Sequence, residues 1–362
     1  MRLALLAAAA LLVACGERGH APKPSASTSA SANAITATTA GATAPASGVA
    51  PAAVVTASSG IVGAPTNSAV ALPPRVVDPE ERVLEAAPLV SLAVAHRPLA
   101  ARGTFDAVLG APEGRRGVEI QLALGAEPTA HRHPLAFYRL AHALGARVVP
   151  VAALRHFGTG ELAGAGADAE ARGVLHEARI LNDGTVDALV SAHAVPHAGA
   201  PWTKLTARPI DPEHGREPAT WEIWASSPEP MPGEDPALLR DYVEMRVLDY
   251  LSANVARRNV LLAGHALVLA DNGTAFPWRP EASVLDRMLR RLRTTARFPR
   301  GLRDALLAFD RERADAVFTD GGFETWLLTP RVRTELAERR AALLTLLEAK
   351  IAARGAEAVL CL

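Results

Sequence analysis

Cysteine is nearly missing from this 362-residue chain, with only Cys15 and Cys361 present. Once Cys15 is committed to the role its context implies below, no internal disulfide framework remains. Lysine is almost as scarce. It occurs at Lys23, Lys204 and Lys350 alone, and the other basic residues are arginines. Aromatic residues make up 4% of the chain. There is no excess of charge, since 38 basic residues face 38 acidic ones. That balance gives no general electrostatic pull toward a polyanion, so no nucleic-acid partner is expected. Long apolar runs are missing too. The longest candidate, residues 3–13, is shorter than the ~20 apolar residues a membrane-spanning helix needs.

What is present begins at the N-terminus. Met1-Arg2 is a short positive start, and residues 3–13 are Leu, Ala and Val throughout. This suits the apolar core of a secretory signal. Leu12-Val13-Ala14-Cys15 then resembles the bacterial lipobox, in which cleavage precedes the cysteine and lipid is attached to its thiol. Residues 1–14 are therefore expected to be a lipoprotein signal peptide, with Cys15 the lipidation site. Each buried methylene of an acyl chain contributes about 0.8 kcal/mol, so several chains anchor durably. Gly16 follows the cysteine instead of the Asp that signals inner-membrane retention. The expected location is the bacterial cell envelope, at the outer membrane, with the membrane a partner through the lipid. Residues 15–75 are then Ala, Ser, Thr, Pro and Gly with almost no charge. Such a stretch cannot bury enough apolar surface to offset its ordering entropy, and reads as a disordered tether.

The rest is long enough for one two-lobed domain or two small domains. Between residues 104 and 124, short apolar stretches separated by Gly and Pro predict strands. Pro134 predicts a helix start and Gly145 its end. Residues 148–154 read as a strand. Residues 174–181 and 185–190 flank Asn182-Asp183-Gly184, a hairpin signal. The second half is mostly helical. A helix is predicted from Pro236 to about Ala253, with Leu238, Tyr242, Met245 and Leu248 facing a core. Two short strands surround Gly264-His265. Helices follow over 282–293 and 301–310. The last helix has Thr329 as N-cap, Pro330 at its first position and Gly355 as terminator.

The motifs are more specific than the element order. Asp249-Tyr250-x-x-x-Asn254-x-x-Arg257 is followed by Asp271-Asn272-Gly273-x-Ala275-Phe276-Pro277. The pair resembles the catalytic and metal loops of atypical kinases: type II phosphatidylinositol 4-kinases, HipA-type kinases and the secretory-pathway casein kinases. The likeness covers roughly residue 117 to the C-terminus. It implies an α+β, two-lobed protein-kinase-like fold, with a β-rich N-lobe over 76–200 and a helical C-lobe over 201–362. It also implies ATP and Mg²⁺ as cofactors, weakly held or lost. In the family the first loop carries the catalytic Asp directly before the Arg, and the second carries the metal-binding Asp.

Phosphoryl transfer requires a metal, a cation on the nucleotide and a carboxylate for the attacking hydroxyl. By the resemblance, Asp271 is the metal ligand. Asn259 is a second candidate, although it stands three residues after position 256 where the family's ligand often stands five after, so a shortened loop is needed. Asn254 and Arg257 match the loop framework and are the candidate cofactor-binding residues. Arg258 reads as solvated charge. The base position holds Ala256, which can neither take a proton nor orient a hydroxyl. The clamp lysine is missing, because no lysine lies between Lys23 and Lys204 and the matching strand is Val118-Glu119-Ile120-Gln121-Leu122. Arg115 and Arg116 precede that strand and read as a turn. The partner Glu, expected near Pro134, is missing as well. Three losses in one assembly make a pseudokinase that binds nucleotide weakly or a protein partner the favoured expectation. The competing readings are an active kinase acting on a protein, lipid or small molecule, and a structural envelope lipoprotein.

Other features carry less. His131-x-His133 has two metal-type ligands without a third, against the plainer reading of surface histidines. The Gly- and Ala-rich stretch 158–173 lacks phosphate-loop spacing and reads as a flexible surface loop. The tryptophans at 202, 221, 224, 278 and 326 read as core or pocket lining. Residues 228–236 read as a stiff link between the two halves.

Overall fold

A computed structural model describes residues 77–95, 102–126, 129, 131–165, 169–192, 207–258, 260–270, 272–319 and 326–362. These all belong to one compact unit, Ser68–Leu362, whose buried residues form a single continuous core. Among the described residues no helix is long and apolar enough to cross a membrane.

The N-terminal part is built on an antiparallel sheet. Helix α1 (Pro79–Ala86) leads into β1 (Leu89–Val94), β2 (Thr104–Ala111) and β3 (Gly114–Leu122). Helix α2 (Arg132–Ala143), β4 (Ala152–Gly158), the short helices α3 (Thr159–Gly164) and α4 (Ala169–Leu175), and β5 (Thr185–Ala192) follow. The strand order is β1-β2-β3-β5-β4. Strict alternation drives this sheet: Phe105, Ala107 and Leu109 on β2, and Val118, Ile120 and Leu122 on β3, are all buried. Arg155 on β4 fastens α1 to the sheet. Its guanidinium donates to the Ala87 carbonyl past the end of α1 and to Glu161 at 2.6 Å, and lies over the Phe157 ring. A cation at a helix C-terminus meets the negative end of the dipole there.

The C-terminal part is mostly helical. Strand β6 (Arg208–Ile210) pairs with β7 (Val260–Ala263), which pairs with β8 (Ala266–Leu269) across the Gly264-His265 turn. Between β6 and β7 run α5 (Arg216–Ser226) and α6 (Pro236–Ser252). After β8 come α7 (Ala282–Thr294), α8 (Leu302–Ala308), α9 (Arg311–Val317), α10 (Pro330–Arg354) and α11 (Ala356–Val359). Helix α6 is the pillar. Asp235 caps it by accepting from the Ala237 and Leu238 amides, both at 3.1 Å. Residues on every side of it are buried, as expected of a helix packed all round. It packs against α2, α5, α7, α10 and β8. Ala253 ends it in the left-handed region at φ 52°.

Several expectations need correction. The strand expected at 148–154 runs instead over Ala152–Gly158. Val148 lies before it and uses its carbonyl to accept from the Leu269 amide at 2.8 Å, tying the sheet-rich part to β8. The stretch 174–181 is not a strand. Its first residues close α4, and only Ile180 bridges to Val186, so the turn at 182–184 joins one bridge to β5. Residues 158–173 are not a plain loop, because α3 and α4 occupy most of them and bury Leu162 and Ala171. Helix α2 starts at Arg132, two residues before Pro134, since a first-turn amide needs no partner. Arg115 and Arg116 lie on β3, not in a turn, and Arg116 is buried and ion-paired with Glu113. Residues 228–236 join α5 to α6 within the helical part; they do not link the two halves. Trp278 and Trp326 are exposed, while Trp221 is core and Trp202 lies outside the described residues.

Candidate functional site

Three pieces of chain meet at the N-terminal end of α2: the loop after α6, the loop after β8, and α2 itself. Arg257 joins all three. Its Nε donates to both Asp249 oxygens, at 2.8 and 3.1 Å, and its second terminal nitrogen reaches Asp249 at 2.5 Å. The first terminal nitrogen donates to Asn272 Oδ1 at 2.7 Å. The guanidinium plane sits 4.9 Å from the centre of the Phe137 ring on α2. Arg257 and Asp249 are both almost fully buried. Burial pushes the Asp249 carboxyl up, and the neighbouring guanidinium pulls the other way. A bidentate fork suits arginine and not lysine, which presents a point charge.

The second loop is fixed from below and from the side. Asn272 Nδ2 donates to the Leu269 carbonyl at 3.0 Å. The Phe276 amide donates to the Ser252 carbonyl at 2.7 Å, and the Phe276 ring meets Phe318 edge-on. Phe276 takes φ 56°, so both loops place a side-chain-bearing residue in the left-handed region. His133, in the first turn of α2, hydrogen-bonds to the backbone of Gly273. Burial lowers its pKa below the ordinary imidazole value, which favours the neutral ring at pH 7. His131 is buried as well, so the two histidines are not the surface pair expected. Among the described residues no group of three or more metal-type ligands occurs.

Asn254 is 2% exposed. Its Oδ1 accepts from the Thr274 hydroxyl at 2.7 Å, while its Nδ2 is buried with no partner among the described residues. A buried amide donor left unpaired is costly, and each such group asks for an explanation. Ala256 is half-buried beside Arg257, and Arg258 is exposed. Asp271, Asn259 and Cys15 lie outside the described residues.

The structure brings Asn254, Ala256 and Arg257 together with Asn272. It also brings in partners the sequence did not assign: Asp249, Phe137, His133 and Thr274. Asp249 was visible as an acid eight residues before Arg257, on the same motif. Phe137 and His133 carried no signal, because their contacts are made by a helix more than a hundred residues away in sequence. On β3 the buried side chains are Arg116, Val118, Ile120 and Leu122, and α2 contains no acidic residue. Arg139, two residues on from Phe137, is also buried on α2.

No model of a protein family matches the chain, and no curated protein does. Solved structures do. The Golgi casein kinase with Mn/ADP bound superposes with a TM-score of 0.52 at 14% identity, over 78% of this chain and 77% of that one. Hydra Fam20 with sugar superposes with a TM-score of 0.51 at 14% identity, over 77% of this chain and 90% of that one. The fold is kinase-like. Its sheet-rich N-terminal part and helical C-terminal part superpose on those of the secretory casein kinases.

Proposed function

We propose that this chain is a lipid-anchored, kinase-like protein of the bacterial cell envelope that has lost phosphoryl transfer and retained weak binding of an adenine nucleotide with a divalent ion. One observation carries the loss. Ala256 stands at the base position inside a loop whose scaffold, Arg257 to Asp249 and Asn272, is fully made. The missing lysine and glutamate add to it, because a carboxylate alone does not hold or neutralise a triphosphate.

The unpaired Asn254 donor supports retained binding. It is a group suited to an anionic oxygen, and a neutral amide can serve only as a positioning contact. Asp271 would be the carboxylate ligand for the ion and Asn259 a second oxygen donor, hard ligands that suit Mg²⁺ or Mn²⁺. Such an ion would supply charge neutralisation between the phosphates. The fold's neighbour crystallised with Mn/ADP supports that choice of probe. The lipid anchor at Cys15, with residues 15–75 as tether, would place the domain at the outer membrane.

The test uses the compact unit 68–362. ADP with Mn²⁺ at millimolar concentration is expected to raise its melting temperature, and Asp271→Ala to abolish the shift. Labelled ATP with a protein, lipid and small-molecule panel is expected to give no transfer above background. Turnover that disappears in Asp271→Ala would overturn the loss of catalysis. No thermal shift with any nucleotide or ion would remove the case for retained nucleotide binding and leave only the fold, as for a structural envelope lipoprotein.

A further inference from the structure

The surface cations of the helical part are unevenly placed. Many are paired across short distances: Arg291 with Glu213, Arg303 with Glu348, Arg331 with Glu335 and Arg333 with Asp315. One row is not. Arg287, Arg290 and Arg293 follow each other at three-residue steps along α7, all exposed, and none is ion-paired among the described residues. Residues at that spacing are surface neighbours on a helix. The row continues onto α10. Lys350 Nζ donates to the Arg293 carbonyl at 2.7 Å, and Arg354, one turn further on, donates to the Ala296 carbonyl at 3.0 Å. Burial lowers the Lys350 pKa, and the nearby Arg354 charge lowers it further. The acids close to the row in sequence are Asp286, Glu357 and Glu348, the last paired with Arg303, so five cations still outnumber three acids in a chain whose overall charge is zero.

We propose that the Arg287–Arg290–Arg293 row of α7, with Lys350 and Arg354 of α10, is a docking face for the headgroups of acidic phospholipids. Guanidinium forks match phosphate geometry, and Arg is more weakly hydrated than an ammonium, which suits contact at an interface. Basic residues on an amphipathic helix attract an anionic leaflet within about a Debye length of it. Between the row and the core, Val284, Leu285 and Met288 are half-buried, an apolar margin of the kind interfacial helices use. The face stands on its own geometry and needs neither the lipid at Cys15 nor nucleotide binding.

The test uses the unlipidated unit 68–362 at about 0.1 M salt, where screening acts over about 10 Å. It is expected to sediment with vesicles containing phosphatidylglycerol and not with pure phosphatidylcholine vesicles. The triple variant Arg287→Gln/Arg290→Gln/Arg293→Gln is expected to lower the partition coefficient roughly a hundredfold, about fivefold per charge removed. The charge-matched control Arg115→Gln/Arg172→Gln/Arg179→Gln, on exposed positions of the sheet-rich part, is expected to retain wild-type partition within about twofold. Equal losses in the two triples would reduce the effect to net charge and overturn the assignment. So would wild-type binding that is indifferent to phosphatidylglycerol. Binding of duplex DNA at the same salt, lost in the first triple and stronger than vesicle binding, would reassign the face to nucleic acid. A urea midpoint unchanged in both triples verifies folding, and a single substitution, Arg290→Gln, replaces the triple if it does not fold.

Discussion

At the scale of residues, Arg257 decides how the site is held. Removing one partner of a buried pair leaves an uncompensated charge, which costs about 3–5 kcal/mol. Arg257→Ala strands the Asp249 carboxylate and also frees Asn272 and the Phe137 ring. The expected result is a loss of that size in urea unfolding of the 68–362 unit. Arg257→Lys keeps the charge but loses the fork, and is expected to fall between wild type and Ala. Ala256 is a different matter. It is half-buried, so Ala256→Asp should fold. A base contributes about 10²–10⁴ in rate when the rest of the assembly is present. Here the nucleotide cation is missing too, so Ala256→Asp alone is expected to leave ATP turnover at background. Turnover that becomes measurable from this one change would mean the clamp had been replaced from elsewhere.

At the scale of elements, helices were legible where a cap and a period agreed. Helix α10 is the clearest case. Thr329 Oγ1 accepts from the Val332 amide, Pro330 opens the helix, and Gly355 ends it at φ 84°. Thr329→Ala is expected to cost about 1 kcal/mol, read as a lowered urea midpoint without a change of slope. Strands were less legible. Val148 and Val149 have strand propensity, yet the sheet takes Ala152–Gly158, because β5 offers its edge there in register from Ala152 opposite Ser191 to Gly158 opposite Thr185. Propensity could not show which residues meet that edge. The paired loops were readable as motifs, but what holds them was not: Phe137 and His133 act through contacts that no local pattern encodes.

One element junction gives a pH dependence. Asp241 on α6 accepts from the Leu267 amide at 2.9 Å, and burial pushes its carboxyl up to about 7. A carboxyl raised in the folded state favours the protonated form there. Its contribution to stability is full below the unfolded value near 4 and is lost as pH rises through about 7. Asp241→Asn retains an acceptor for Leu267 without the charge. It is expected to unfold at a higher temperature than wild type at pH 8, with the gap closing as pH falls toward 5. A gap that widens on acidification would contradict the assigned burial.

At the scale of the whole molecule, the sheet and the helical part share one core, and α2 packs against both β4 and α6. The 68–362 unit is therefore expected to melt in one transition, with tryptophan fluorescence and far-ultraviolet circular dichroism coinciding. Trp221, Trp224, Trp278 and Trp326 all report from the helical part, and the strands dominate the rest. Two separated transitions would mean that the shared core does not couple the parts.

The grip of the two loops on α2 has a dynamic consequence. An outward swing of α2 would be easy only if the helix gave up solvent-tolerant contacts. Here the same motion would peel an aromatic cover from a buried guanidinium and pull an imidazole off a backbone carbonyl. The lever is bolted to its seat, so α2 is expected to keep its place against the two loops when the rest of the molecule moves.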